Sequence, residues 1–114
     1  MTTMESERKT PKTSLSNTVL RQYRAIAHKL NPVVRVGGNG LSTNVLAEVD
    51  RALGDHELIK IKIAVGDRDL RDALVEQLCQ TTHAQLVQRI GNTATLLRRN
   101  PQADPRKSNL QRTL

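Results

Sequence analysis

The residues of this chain best suited to chemistry are Gly37, Gly38, Asn39 and Gly40, and what they offer is backbone. They follow the β-branched run Val33, Val34 and Val36, interrupted by Arg35, and they precede Ser42, behind which apolar residues recur at helical spacing. The pattern is strand, tight turn, helix start. Such a turn leaves N–H groups facing outward beside the positive end of a helix dipole, an arrangement suited to a phosphate. A Gly-x-x-Gly also serves simply to reverse a chain, because glycine accepts positive φ at little cost, and on these residues alone that reading stays open. A second set is cationic. Asn17, Arg21, Arg24 and His28 fall four, three and four residues apart, which puts them on one face of a helix, and no acid lies between residues 8 and 47. Lys29 and Arg35 extend the same uncompensated stretch, although a basic ridge can equally be a solvated face.

Covalent chemistry is poorly provided for. The chain has no Gly-x-Ser-x-Gly, no His-Glu-x-x-His and no phosphate-binding loop ending in Gly-Lys-Ser/Thr. His28, His56 and His83 fall at the ends of helical segments, and no spacing puts two of them on one face. His56–Glu57 reads as a helix-to-strand junction. The single cysteine, Cys79, excludes an internal disulfide and a multi-cysteine zinc site, and no neighbour in the sequence is placed to activate it. No enzymatic activity, cofactor or metal is expected. With one tyrosine and no phenylalanine or tryptophan, the chain also lacks the aromatics on which many RNA-binding sheets stack bases. Tyr23 falls in an apolar stripe and is read as core. A nucleic acid would have to be held by backbone amides, Arg and Lys.

The elements that position these residues follow from periodicity. Ser16 caps a first helix with Val19, Leu20, Tyr23, Ile26, Ala27 and Leu30 on its apolar stripe, ended by Asn31–Pro32. After the strand at 33–36 and the glycine turn, Ser42 or Thr43 caps a second helix that buries Val45, Leu46, Val49, Ala52 and Leu53 and exposes Glu48, Asp50, Arg51 and Asp55. Leu58–Val65 alternates Ile59, Ile61, Ile63 and Val65 with Lys60, Lys62 and Ala64, a strand with one apolar and one cationic face. Asp67 or Asp69 caps a third helix running to about Thr82, with Leu70, Leu74, Leu78 and Thr81 inward and Asp69, Asp72 and Glu76 on another face. Ala84–Ile90 and Thr93–Arg99 form a hairpin around Gly91–Asn92. The order α-β-α-β-α-β-β predicts an α/β two-layer sandwich: a four-stranded mixed sheet with helices mainly on one face.

At 114 residues, 37% hydrophobic and with a mean hydropathy of −0.50, the chain has room for one modest core. The domain is expected over residues 16–100, between a disordered N-terminal segment at 1–15 and a disordered basic tail at 101–114. A net charge of +7 favours a polyanionic partner. Neither a bilayer-spanning run nor a secretory h-region is present, so a cytoplasmic protein with no membrane role is expected. The charge is uneven: +4 over residues 16–47, −3 over 48–77 and +5 over 78–114. The first helix, the glycine turn and the final strand, with Arg98 and Arg99 at its end, would make one basic surface if adjacent. The second and third helices would form an acidic back.

Two blocks of the chain resemble a known family. The run Ala27-His28-Lys29-Leu30-Asn31-Pro32-Val33-Val34-Arg35-Val36-Gly37-Gly38-Asn39-Gly40-Leu41-Ser42 is similar to the signature of the YhbY-like family, the chloroplast RNA splicing and ribosome maturation (CRM) domain. Val45-Leu46-Ala47-Glu48-Val49, Ala52-Leu53 and His56-Glu57-Leu58-Ile59-Lys60-Ile61-Lys62-Ile63 agree with it. The resemblance covers roughly residues 16–100 and implies a fold like the C-terminal domain of bacterial translation initiation factor three. It also implies RNA binding through the Gly-x-x-Gly loop, here Gly37, Gly38, Asn39 and Gly40, and a neighbouring basic surface. Stand-alone bacterial members are associated with precursors of the large ribosomal subunit, and plant members occur in intron-splicing factors. A single-domain chain resembles the bacterial kind, which implies a ribosome-assembly factor acting on precursor rRNA; a monomer is expected. Gly38–Asn39 carries no cation where RNA-binding loops of this type often do, so the charge falls to Arg35, Arg21, Arg24 and Lys29. The alternative is a protein-interaction module that docks an acidic partner on its basic face.

Overall fold

The computed structural model describes residues 15–111, so the expectations for residues 1–14 and 112–114 lie outside them. Three helices and four strands follow in the predicted order. In helix α1 (Asn17–His28) the Ser16 hydroxyl accepts the Val19 N–H at 3.2 Å. Strand β1 (Pro32–Val36) leads through the glycine turn to α2 (Thr43–His56), where Ser42 rather than Thr43 is the cap and accepts the Val45 N–H at 3.1 Å. Strand β2 (Leu58–Ile63) stops two residues short of the expected end. Ala64 instead donates its N–H back to Val36 O at 2.7 Å. Asp67 caps α3 (Arg68–Thr82), accepting the Leu70 N–H at 3.0 Å. Strands β3 (Gln85–Ile90) and β4 (Thr93–Leu97) complete the chain's hairpin.

The sheet order is β1-β2-β4-β3. β1 and β2 are parallel neighbours joined by α2, and β4 is antiparallel to both β2 and β3. The second β-α-β unit therefore leaves β3 parallel to β2 but one strand removed, because the hairpin inserts β4 between them.

Strand alternation sorts the side chains to two faces. Val34, Val36, Ile59, Ile61, Ile63, Ala94 and Leu96 pack against Val49 and Leu53 of α2 and Leu74, Val75 and Leu78 of α3 in the larger core. Leu58, Val87 and Leu97 point the other way and pack beneath Leu20 and Ala27 of α1, joined by Leu110 and, at the margin, by Leu15 and Tyr23. Two helices thus share one face as predicted, while α1 covers one end of the second face. The α1 stripe needed a surface to bury it, and the apolar ends of β2 and β4 supply one.

Residues 100–111 depart from the expected disordered tail. Ala103, Ser108, Asn109 and Leu110 are buried. The reason lies at the end of α2, where Glu57, a non-glycine residue, takes φ +64°. The last helical carbonyls need donors there, and the tail provides them. Asn100 Nδ2 donates to Gly54 O at 2.7 Å and Asn109 N to His56 O at 2.9 Å; in the opposite direction, His56 Nδ1 donates to the tail carbonyl Lys107 O at 2.8 Å. The Glu57 carboxylate accepts from Asn100 N and Ser108 Oγ, both at 2.6 Å.

Candidate nucleic-acid interface

The glycine turn is a compact four-residue bend. The Gly40 N–H donates to Gly37 O at 3.0 Å, and Gly40 holds φ +72°, the position where glycine is required. Gly37 and Gly38 have no positive φ, and a Cβ on either would meet nothing within 4 Å. Their lack of side chains thus serves neither turn nor packing, and it leaves the backbone approachable. Among the described residues, the N–H groups of Gly38, Asn39 and Leu41 donate to nothing. They stand beside Thr43 and Asn44 in the first turn of α2, whose N–H groups have no intrahelical acceptor.

The parallel register of β1 and β2 joins this loop to a cationic face. Arg35 lies opposite Lys62, Lys62 opposite Thr93, and Thr93 opposite Ile90. One row lower, Lys60 lies opposite Thr95, and Thr95 opposite Gln88. These residues all sit on the sheet face that the larger core does not use. No strand contains an acid, and neither does α1. His28, at the end of the Arg21–Arg24 ridge, closes a cleft of about 160 Å³ with Lys60, Gln88, Ile90, Thr93 and Thr95. Val33 and Ile90 are the exposed apolar residues of this face, at 51% and 65%.

Gly37, Gly38, Asn39 and Gly40 form the loop, and Arg35 stands next to them on the open face. Arg21 and Arg24 are exposed on α1, on the ridge that His28 carries to the cleft, and Lys29 is exposed just beyond the last helical turn. Among the described residues, none of Arg21, Arg24, Lys29 and Arg35 makes an ion pair. The final strand does not add its arginines to this surface, contrary to expectation. Leu97 pairs with Leu58, at the opposite end of the sheet from the loop. Arg98 turns to the helical layer, donating to Asp50 Oδ1 at 2.8 Å and to Thr82 O and Asp50 O at 2.9 Å. Arg99 Nε lies 3.7 Å from the Glu57 carboxylate.

Lys60 and Lys62 were legible as the polar face of β2. Their alignment with Arg35 depends on register, which alternation within one strand does not reveal. Gln88, Thr93, Thr95 and Ile90 carried no signal, since uncharged residues on a hairpin resemble any solvated strand.

The helical side offers a larger groove of about 870 Å³ between α3 and β3, with worse chemistry for a polyanion. Asp72 and Glu76 line it, Arg89 is held by Asp72 at 2.6 Å, and Arg71 donates to Val65 O at 2.9 Å. Cys79 lies there too, and burial together with nearby Glu76 pushes its thiol up to about 11, so thiolate is scarce at neutral pH. Burial also pushes the Glu57 carboxyl up, but hydrogen bonds from Asn100, Ser108 and Gln111, with Arg99, outweigh it and hold it below its ordinary value. Among the described residues no three His, Cys, Asp or Glu side chains gather closely enough to hold a metal. No helix among them is long and apolar enough to cross a membrane.

Known proteins are similar to this chain in sequence and in fold. A Pseudomonas aeruginosa protein named Probable RNA-binding protein PA4753 is 48% identical over 92 residues, covering 81% of this chain and 88% of the relative. A Haemophilus influenzae relative named RNA-binding protein is 43% identical over 98 residues, covering 83% of this chain and 99% of its own length. The solution structure of the hypothetical protein SAV1595 from Staphylococcus aureus superposes with a TM-score of 0.68 at 29% identity, covering 79% of this chain and 94% of that one. The CRS1 / YhbY (CRM) domain model matches residues 15–98, a span that runs from the start of α1 through the glycine loop to the end of β4. With the loop, the cationic strand and the fold all inside that match, the chain belongs to the CRS1 / YhbY (CRM) domain family.

Proposed function

We propose that this protein binds RNA and acts as a monomeric, cytoplasmic factor in assembly of the large ribosomal subunit, on its precursor rRNA and without enzymatic activity. One observation carries the RNA reading: the unoccupied N–H groups of the Gly37–Gly40 loop continue into a sheet face bearing Arg35, Lys60 and Lys62 and no acid. Phosphates would sit at the loop and along this row, and Arg21, Arg24 and Lys29 would extend the field along α1. The names of the Pseudomonas and Haemophilus relatives support the RNA partner. The ribosomal assignment rests on the resemblance to stand-alone bacterial members of the family.

Ultraviolet crosslinking in cells, followed by mapping of the crosslinked RNA, tests both parts. Crosslinks concentrated on large-subunit precursor rRNA are expected. Crosslinks confined to other RNAs would refute the assembly role, and their complete absence, with the protein instead co-purifying with an acidic partner, would favour a protein-docking module.

A further inference from the structure

The cleft at the end of α1 has a composition that a phosphate track does not need. Lys60 alone among its six lining residues carries a fixed charge. Gln88 presents an amide, Thr93 and Thr95 present hydroxyls, Ile90 presents an exposed aliphatic wall and His28 an imidazole at the rim. The side chains of Lys60, Gln88, Thr93 and Thr95 make no hydrogen bond among the described residues, although Thr95 is otherwise buried. Unengaged donors and acceptors around an apolar wall suit a flat group with a hydrogen-bonding edge. A chain of phosphates would find little use for them.

We propose that this cleft takes one unstacked base of a single-stranded RNA, so that the protein reads single strands at a site separate from the phosphate-binding loop. The inference rests on the RNA-binding reading above and specifies the form of RNA. The base would lie against Ile90 with the His28 imidazole at its other side, and the Gln88 amide with the Thr93 and Thr95 hydroxyls would meet its edge. An amide supplies both a donor and an acceptor, which lets it discriminate between base edges, as it does in grooves. Lys60 within the cleft and Lys62 with Arg35 in the row above would hold the flanking phosphates.

The geometry connects this subsite to the loop. From β1, which carries the loop, to β3, which carries Gln88 and Ile90, there are three strand spacings, roughly 14 Å at about 4.8 Å each. A single strand can cross that distance with its phosphates over Arg35 and Lys62 and one base turned down into the cleft. A duplex cannot do so, because its bases are stacked and paired and its backbone cannot sink between α1 and β3. The mode also needs no Phe, Tyr or Trp, since an imidazole and an aliphatic wall replace the aromatic platform.

The test measures binding of the full chain to fluorescent RNA decamers of A, of C and of U and to a ten-base-pair duplex, at several salt concentrations. Single strands are expected to bind more tightly than the duplex, with unequal affinities among the three homopolymers. Gln88→Ala and Thr93→Val should each weaken the preferred homopolymer by roughly two- to tenfold, the range expected for one lost hydrogen bond. They should compress the ranking and leave the salt slope unchanged, because neither removes a charge. Circular dichroism and the melting temperature confirm that the variants fold; should Gln88→Ala not fold, Gln88→Met gives the same reading with the amide replaced by an uncharged side chain of similar length. Equal affinity for duplex and single strand would overturn the subsite, as would a homopolymer ranking indifferent to both variants. RNA binding that retains its salt slope in those cases leaves the general reading intact, whereas a wild-type protein that binds none of the RNAs overturns both.

Discussion

The two faces of this sheet use positive charge in opposite ways. On the helical side, Arg98 and Arg89 sit against Asp50 and Asp72 at 2.8 and 2.6 Å, and Arg71 is anchored to Val65 and Gly66 carbonyls. On the open side, Arg35, Lys60 and Lys62 line up across neighbouring strands without an acid among the strands or on α1. Cations aligned on one face repel each other, and nothing in the described residues offsets that cost. Charge on the helical side joins elements together, with Arg98 alone bridging α2, the end of α3 and the end of β4. Charge on the open side holds nothing together, which is what a surface for an outside anion requires. Counting arginines would therefore mislead: the +5 of the C-terminal third is partly committed internally, and the +4 around α1 and β1 is not.

The largest expected effect tests the open side at the loop. Replacing Gly38 and Asn39 by Asp together should lower RNA affinity by about a hundredfold or more, because a like charge set against a bound one costs several kcal/mol. The fold should survive. A Cβ at Gly38 meets nothing within 4 Å, its φ is not positive, and Asn39 is already exposed. Carboxylates near the start of α2 even favour that helix by about 0.3–1 kcal/mol. Titration with RNA beside a thermal melt separates the two quantities. A variant that melts like wild type and binds like wild type would reduce the loop to a chain reversal.

The next effect belongs to committed charge, at the clasp between α2 and the C-terminal segment. Glu57→Gln should cost about 1.5–3 kcal/mol of stability near neutral pH, since hydrogen bonds from Asn100 and Ser108 to a buried carboxylate are lost or weakened. RNA affinity should stay unchanged. The pH dependence has a definite sign. The folded carboxyl titrates below its ordinary value of 4.5, so its contribution is complete above that value and disappears as the pH falls through the folded pKa. The stability gap between wild type and variant should therefore be constant from pH 7 to about 5 and close in stronger acid. A gap that widens in acid would mean that desolvation of the carboxylate outweighs its hydrogen bonds.

That clasp also marks where the sequence stopped being legible. Elements whose signals are local came through: Ser16 caps α1, Ser42 and Asp67 were each one of two candidates for the caps of α2 and α3, and the alternation over β2 separates Ile59, Ile61 and Ile63 from Lys60 and Lys62. The tail was misread because Asn100, Ser108 and Asn109 resemble an ordinary polar linker. Their partners, Gly54, Glu57 and Leu58, lie 43 to 51 residues away, beyond any periodicity. Glu57 gave the one available hint, an acid where a helix end commonly carries glycine. The same limit explains Arg98. Its neighbours in sequence are basic, so the doublet reads as free charge, and only the antiparallel pairing of β4 with β2 brings it to Asp50. The glycine loop was legible because its chemistry is backbone and its signature is contiguous. The row from Arg35 to Ile90 was not, because four strands supply it.

The smallest expected effect asks whether the uncommitted charge of α1 belongs to the interface or merely to the surface. Arg21→Glu with Arg24→Glu changes two exposed side chains that make no ion pair among the described residues, so stability should move by less than about 0.5 kcal/mol. Binding should respond through salt. If each arginine neutralises one phosphate of a single strand, log affinity against log salt should become shallower by about 1.4. The weakening should be greatest at low salt and fade as salt rises, because screened charges at this distance from the loop act through their field. Substituting Arg98 by Ala provides the contrast: it should lower the melting temperature and leave the salt slope alone. A double variant on α1 with an unaltered slope would confine the interface to the loop and the sheet row, where Arg35 and Lys62 stand directly opposite one another.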